Sequence, residues 1–186
     1  MNLELDHVFI LVEAGAKVAD LLVALGIEEG FSRAHKGQGT SNRRFEFSNG
    51  MLEFLWLRDK VEAVNGPGHE LHFAERSETP AASPFGIILH RKDKAPLDTP
   101  FSGWQYQPDY LKAPMSFHVG SNSNDLLEPL CIYVPFIEPK TRKIEKGCFR
   151  SLSHVKIHTI TSKPSEVLNI VNEADNISIA FGEQHL

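Results

Sequence analysis

Cysteine is nearly missing from this chain. Two residues in 186, Cys131 and Cys148, cannot build the disulfide framework of a small secreted domain. No Cys-x-x-Cys and no Gly-x-Ser-x-Gly occurs, so neither a dithiol redox motif nor a nucleophile elbow is written here. A basic surplus is also missing. Lys and Arg number 19 against 24 Asp and Glu, a net charge of −5, and no basic stripe forms, so nucleic acid is not an expected partner. No apolar run approaches the roughly 18 residues of a membrane span. The chain opens directly into a strand, without the basic region and apolar stretch of an export signal. A cytoplasmic protein with no membrane partner is expected.

What is present is an ordinary globular composition, 41% hydrophobic and 23% charged. A chain of this length buries a full core as one domain and has room for an internal duplication. Residues 5–12 read as a strand. Residues 15–25 read as a helix, with Val18, Leu21, Leu22 and Leu25 spaced i, i+3, i+4, i+7 and Gly26 ending it. Residues 27–34 suggest another strand before a Gly/Thr/Ser/Asn-rich connector at 36–41. Two strands follow at 42–47 and 51–57, joined by Asn49-Gly50, the strongest short-range hairpin signal in the chain. Residues 3–58 thus read β-α-β-β-β.

Residues 60–83 read as a connector, part helical near 70–76. Strands resume at 85–89, 104–106, 116–119 and 130–136, with no convincing helix between the first two. The chain ends in a strand at 153–159, a helix at 165–171 behind Pro164, and a strand at 177–181. Leu152-Ser153-His154-Val155 echoes Leu5-Asp6-His7-Val8, a match short enough to arise by accident.

Two polar residues on apolar strands stand out. On alternation, His7 shares a face with Leu5, Phe9 and Leu11, and Glu53 shares one with Met51, Leu55 and Leu57. A buried polar group without a partner costs on the order of 1–3 kcal/mol, so each needs one. Three readings satisfy both. The pair ligates a divalent metal, with imidazole nitrogen and carboxylate oxygen suiting Zn, Mn, Fe or Ni. It acts without metal as an acid/base pair. Or it is a purely structural hydrogen bond. In the metal reading a third ligand is needed, and His90, His118 and Glu128 are the candidates. His69-Glu70-Leu71-His72 lacks the i, i+4 spacing of a helical zinc site and reads as surface. Cys131, in an apolar run, reads as core.

Leu5-Asp6-His7-Val8, His35, Gly39-Thr40, Asn42-Arg43, Asn49-Gly50 and Leu52-Glu53-Phe54-Leu55 leading to Asp59 together resemble the vicinal oxygen chelate superfamily, specifically its glyoxalase-like domain proteins. The resemblance implies an α+β fold of glyoxalase/bleomycin-resistance type. Paired βαβββ modules would curl a mixed, mostly antiparallel sheet into a cup, with helices outside. Residues 1–59 would form the first module, 60–83 the connector, 84–137 a degenerate second module and 150–186 a C-terminal βαβ extension. It implies that His7 and Glu53 are the first module's metal ligands or catalytic residues, with His35, Asn42, Arg43 and Trp56 around the substrate. In the second module the matching ligand position falls on Gly86, and the closing strand offers Cys131 or Glu128. A full two-His, two-Glu set is therefore not visible, and the metal is expected to be weakly held or missing. The implied function is a small-molecule enzyme of lyase or isomerase type, working through an enolate or other oxyanion. The alternative is a binding protein that sequesters a small molecule in the same cup. A homodimer is expected in either case.

Overall fold

The structure is a computed structural model that describes residues 2–93, 98–137 and 151–182. Eight strands form one mixed sheet in the order β2-β3-β4-β1-β5-β8-β7-β6. The first half comprises β1 (Leu3–Leu11), β2 (Ala34–His35), β3 (Thr40–Phe47) and β4 (Gly50–Leu57). The second comprises β5 (Phe85–Arg91), β6 (Gly103–Tyr106), β7 (Phe117–Gly120) and β8 (Leu130–Tyr133). β1 and β5 pair antiparallel at the centre, and each runs parallel to the closing strand of its own half, β4 or β8. The two halves thus repeat one strand order about the β1/β5 seam. The result is the expected α+β fold with a strongly curled, glyoxalase-like sheet.

One side of the sheet is packed outward. Over the first half, Phe45, Phe47 and Phe54 receive Ala16 and Ala19, with Leu22, Ile27 and Trp56 against them. The covering segment is a 3-10 turn at Lys17–Ala19 running into α1 (Asp20–Ala24). This corrects the periodicity reading. Ala16, Ala19 and Leu22 face the sheet, and Val18, Leu21 and Leu25 are exposed. Two alanines let the backbone approach the phenylalanines closely, which larger residues at those positions would prevent.

No helix joins β5 to β6 in the described residues, so the second half has no cover of its own. The C-terminal unit supplies it. β9 (Val155–Thr159) and β10 (Ile177–Phe181) pair in parallel, and α4 (Glu166–Val171) connects them. Ile157, Val167, Leu168, Val171, Ile177 and Ile179 pack with Leu3, Leu5, Val8, Ile87, Leu89, Cys131 and Tyr133. Glu128 fastens the unit: its buried carboxylate accepts from the Ser165 backbone N–H and hydroxyl, each at 2.6 Å, and from Asn122 Nδ2 at 2.9 Å. Ser165 in turn caps α4 through Leu168 N–H.

The β3–β4 hairpin forms, with its turn one residue earlier than expected. Phe47 pairs with Gly50, leaving Ser48 and Asn49 as the loop. The Asn49 amide clamps the Leu152 backbone, donating to its carbonyl at 2.7 Å and accepting its N–H at 2.9 Å. No helix among the described residues is long and apolar enough to cross a membrane.

Candidate functional site

The inner side of the curled sheet encloses a cavity of about 320 Å³. Its floor comes from the seam, where alternation in β1 is broken. Leu5 pairs with Leu89 while His7 pairs with Ile88, so Asp6 is an extra residue, a β-bulge. Leu5 therefore joins Val8 in the outer core, while His7 and Phe9 point into the cup. The expectation that Leu5 shares the face of His7 is corrected by this bulge. Asp6 gains a position beside His7, and Asp6 Oδ2 lies 2.5 Å from His7 Nδ1. An ionised Asp6 accepts there, so Nδ1 carries hydrogen and Nε2 is left facing the cavity.

Glu53 stands opposite on β4, two residues along from the partner of His7. Its Oε2 is 3.9 Å from His7 Nε2, and its Oε1 is 3.9 Å from His35 Nε2. Asn42 Nδ2 donates to Glu53 Oε1. The Asn42 amide has one possible orientation, because its Oδ1 accepts the Arg33 backbone N–H at 2.7 Å. Asn42 N–H also donates to the Arg33 carbonyl, so one asparagine holds both the carboxylate and the segment leading to His35. His35 Nδ1 sits 3.0 Å from Thr40 Oγ1. Burial pushes the His35 imidazole below its ordinary value, and the neighbouring Glu53 carboxylate opposes this in part. Gly39 sets the turn behind Thr40 at φ 69°, where a Cβ would lie 2.2 Å from the Asp59 carbonyl.

The far end of the cavity is apolar. Phe9, Leu55, Ile88 and Ile132 line it from the sheet, and Leu71 and Phe73 cover it from the connector. Phe73 begins α3 (Phe73–Glu78), preceded by α2 (Lys60–Asn65), which Asp59 caps by accepting Glu62 N–H. Buried Arg76 of α3 ties the connector to the loop before β8, donating to the carbonyls of Glu128 at 2.8 Å and Ser123 at 3.1 Å. At Gly86 the Phe9 ring lies so close that a Cβ would stand 1.9 Å from it. No ligating side chain fits at the position that the sequence match assigns to the second half.

The structure brings His7, Glu53, His35 and Asn42 to one cavity and places the other candidates elsewhere. Arg43 is turned to the outer side, where it donates to both carboxylate oxygens of Glu29, at 2.8 and 2.6 Å, and to Asp20 at 2.8 Å. Trp56 packs against the outer core. His118 alternates away from Phe117, and its Nε2 donates to the Phe101 carbonyl, 2.8 Å away. Glu128 serves α4. His90 lies beyond the bulge, with Nε2 3.0 Å from Glu4 Oε1 and Nδ1 3.9 Å from Asp6 Oδ1. Among the described residues, no group of three or more His, Cys, Asp and Glu side chains is placed to hold a metal ion. Third ligands from the second half are out of reach, so the donor set here does not fit a protein-held metal.

Sequence reasoning missed the residues that alternate with those it named. Arg44 faces the cup beside Asn42, as strand parity from Asn42 would have indicated. Arg33, Gln38, Tyr106 and Tyr110 also line it, and no local pattern marks them. Cys131 lies in the outer core, where burial pushes its thiol up to about 12.

The cup and the repeated strand order define a glyoxalase-like fold. Among solved structures, a hypothetical protein from Staphylococcus aureus is similar, with TM-score 0.52, 13% identity, and coverage of 96% of this chain and 84% of that one. A hypothetical protein from Bacillus halodurans C-125 gives 0.45 at 14% identity, covering 78% and 99%. Methylmalonyl-CoA epimerase from Mycobacterium tuberculosis gives 0.44 at 12% identity, covering 71% and 87%. No family model and no curated protein matches the sequence.

Proposed function

We propose that this protein is a small-molecule enzyme that moves a proton next to a carbonyl group, a lyase- or isomerase-type reaction passing through an enolate. The observation that carries the reading is that the Asp6-oriented His7 imidazole and the Glu53 carboxylate lie side by side, 3.9 Å apart, in one cavity. Glu53, held by Asn42, takes the proton from carbon, and the C–H electron pair moves onto the substrate oxygen. His7, as the imidazolium, donates from Nε2 to that oxygen and stabilises the developing charge. Return of the proton to carbon, or loss of a leaving group from the enolate, completes the turnover. The apolar end excludes water, which strengthens both interactions. No step uses a metal.

Deuterium exchange tests this without knowledge of the natural substrate. A panel of 2-aryl and 2-alkyl carbonyl compounds is incubated with the protein in D₂O, and loss of the proton next to the carbonyl is followed by NMR. Native protein is expected to exchange at least one compound, with His7→Gln and Glu53→Gln each slowing exchange by roughly 10²–10⁴-fold at unchanged melting temperature. Exchange insensitive to both substitutions would overturn the assignment. Compounds that raise the melting temperature without any exchange would favour the sequestering cup.

A further inference from the structure

Two parts of the cavity have no ligand contact assigned by the chemistry above: its apolar end and the arginines at its polar end. Arg33 stacks on the Tyr110 ring, with Cζ 5.4 Å from the centroid. Among the described residues no carboxylate lies within ion-pairing distance of it. Arg44 is half-buried with Cζ 5.6 Å above the Phe31 ring. Its Nη2 reaches Glu46 at 3.3 Å, while its buried Nε has no hydrogen-bond partner. The Gln38 amide lies beside the buried Tyr106 hydroxyl and donates to Tyr110 at 3.2 Å. An orphaned buried donor costs about 1–3 kcal/mol, so a wall with the Arg44 Nε unpartnered and Arg33 without a counter-ion suits an acceptor that arrives from outside.

We propose, resting on the enzyme reading of the same cup, that its ligand is an amphiphilic monoanion: a single carboxylate held at Arg33 and Arg44, carrying an alkyl or arylalkyl body that fills the end lined by Phe9, Phe73, Ile88 and Ile132. The planar guanidinium fork matches a carboxylate. Charge limits the head to one negative unit, because Glu46 already shares Arg44 and Glu53 faces the same space. A phosphate monoester would set a second negative charge against Glu53. Size limits the body. A cavity of about 320 Å³ stands at the low end of the ~300–1,000 Å³ typical of small-molecule sites, which suits a medium-length chain or one aromatic ring and excludes a nucleotide-sized group. Asn42 links the two functions, since the residue that aims Glu53 also fixes the backbone of Arg33.

The test is calorimetric titration with four probes of graded head and body: octanoate, octanamide, 4-phenylbutyrate and acetate. Octanoate and 4-phenylbutyrate are expected to bind at least tenfold more tightly than octanamide and acetate, so that both charge and body are needed. Arg44→Gln and, separately, Arg33→Gln should each weaken octanoate at least tenfold and leave octanamide within twofold. Equal affinity for octanoate and octanamide, failure of both carboxylates to bind, or indifference to both substitutions would overturn the proposal. The head-group series uses native protein alone, so it decides even where a variant folds poorly. Binding that obeys these rules in a protein that exchanges no deuterium would remove the enzyme reading and leave the ligand class standing. Exchange of compounds that carry no anionic group, with no preference for carboxylates, would do the reverse.

Discussion

Arg43 and Arg44 are chain neighbours in β3 whose guanidinium groups stand on opposite sides of the sheet, one bound to Glu29 and Asp20 and the other lining the cup. The strand repeat of two forces this separation, and it splits their roles. Arg43→Ala is expected to lower stability by about 1–2 kcal/mol, because a two-pronged, partly buried contact to Glu29 is lost while the exposed Asp20 adds little. Arg44→Ala is expected to leave stability nearly unchanged. Urea denaturation of both variants checks this.

The Glu29–Arg43 pair also predicts a pH dependence. The hydrogen bonds from Arg43 hold the Glu29 carboxyl below its usual range. In the unfolded chain Glu29 takes up its proton first as pH falls, so the unfolded state binds more protons. The stabilisation is present above about pH 4.3, the ordinary glutamate value, and is lost as pH falls through the lowered folded value. Native protein should lose stability more steeply between about pH 5 and 3 than Arg43→Ala. Parallel slopes for the two proteins would contradict this.

His35 gives a second slope, at higher pH. Burial holds its folded value below the ordinary ~6.5 of histidine. On acidification the unfolded chain protonates at this position before the folded one, so stability declines as pH drops below about 6.5. In His35→Gln that part of the decline should vanish. Thermal melts of both proteins from pH 7.5 to 5 measure the difference, and a variant whose melting temperature falls as steeply as the native one would refute it.

Local patterns made most strands readable. Alternating apolar runs located β1, β3, β4 and β5, and the run 165–171 with Pro164 ahead of it located α4. Strand alternation separates Asn42 from Arg43 and Glu53 from Trp56, whereas the resemblance had set all four around one site. Three features were hidden, and each depends on contacts distant in sequence. The bulge at Asp6 exists only as a mismatch of register between β1 and β5. The inward face of α1 is chosen by the phenylalanines of β3 and β4, which favour alanine over the more hydrophobic leucines. The C-terminal unit has a purpose only because the second half has no helix of its own to cover Ile87, Leu89 and Cys131.

Gly86 and Phe9 predict a further substitution outcome. They are register partners across the β1/β5 seam, and the Phe9 ring occupies the space over Gly86 while packing on Phe73 with centroids 5.8 Å apart. Gly86→Ala would drive Cβ into that ring, and an overpacked core loses about 1–3 kcal/mol. Combining it with Phe9→Leu should cost less than the sum of the two single substitutions, because the smaller side chain vacates the contested space. Additive losses in a double-mutant cycle would show that the two sites do not share that space.

The Asp6–His7 contact yields the most discriminating experiment on the site. If Asp6 holds hydrogen on His7 Nδ1, the ¹⁵N shifts of the neutral native ring should report a single tautomer with Nε2 bare. Asp6→Asn presents a neutral amide that can either donate or accept, so His7 should become a mixture of both tautomers, with less of the form that offers Nε2 to the cavity. The same variant should slow deuterium exchange at least tenfold, since the ring loses the carboxylate partner that orients it and balances its charge while Nε2 donates to the substrate oxygen. Binding of octanoate should hold within about twofold, because neither arginine has moved. A His7 ring that keeps its tautomer in Asp6→Asn would mean that the bulge positions Asp6 for the fold alone.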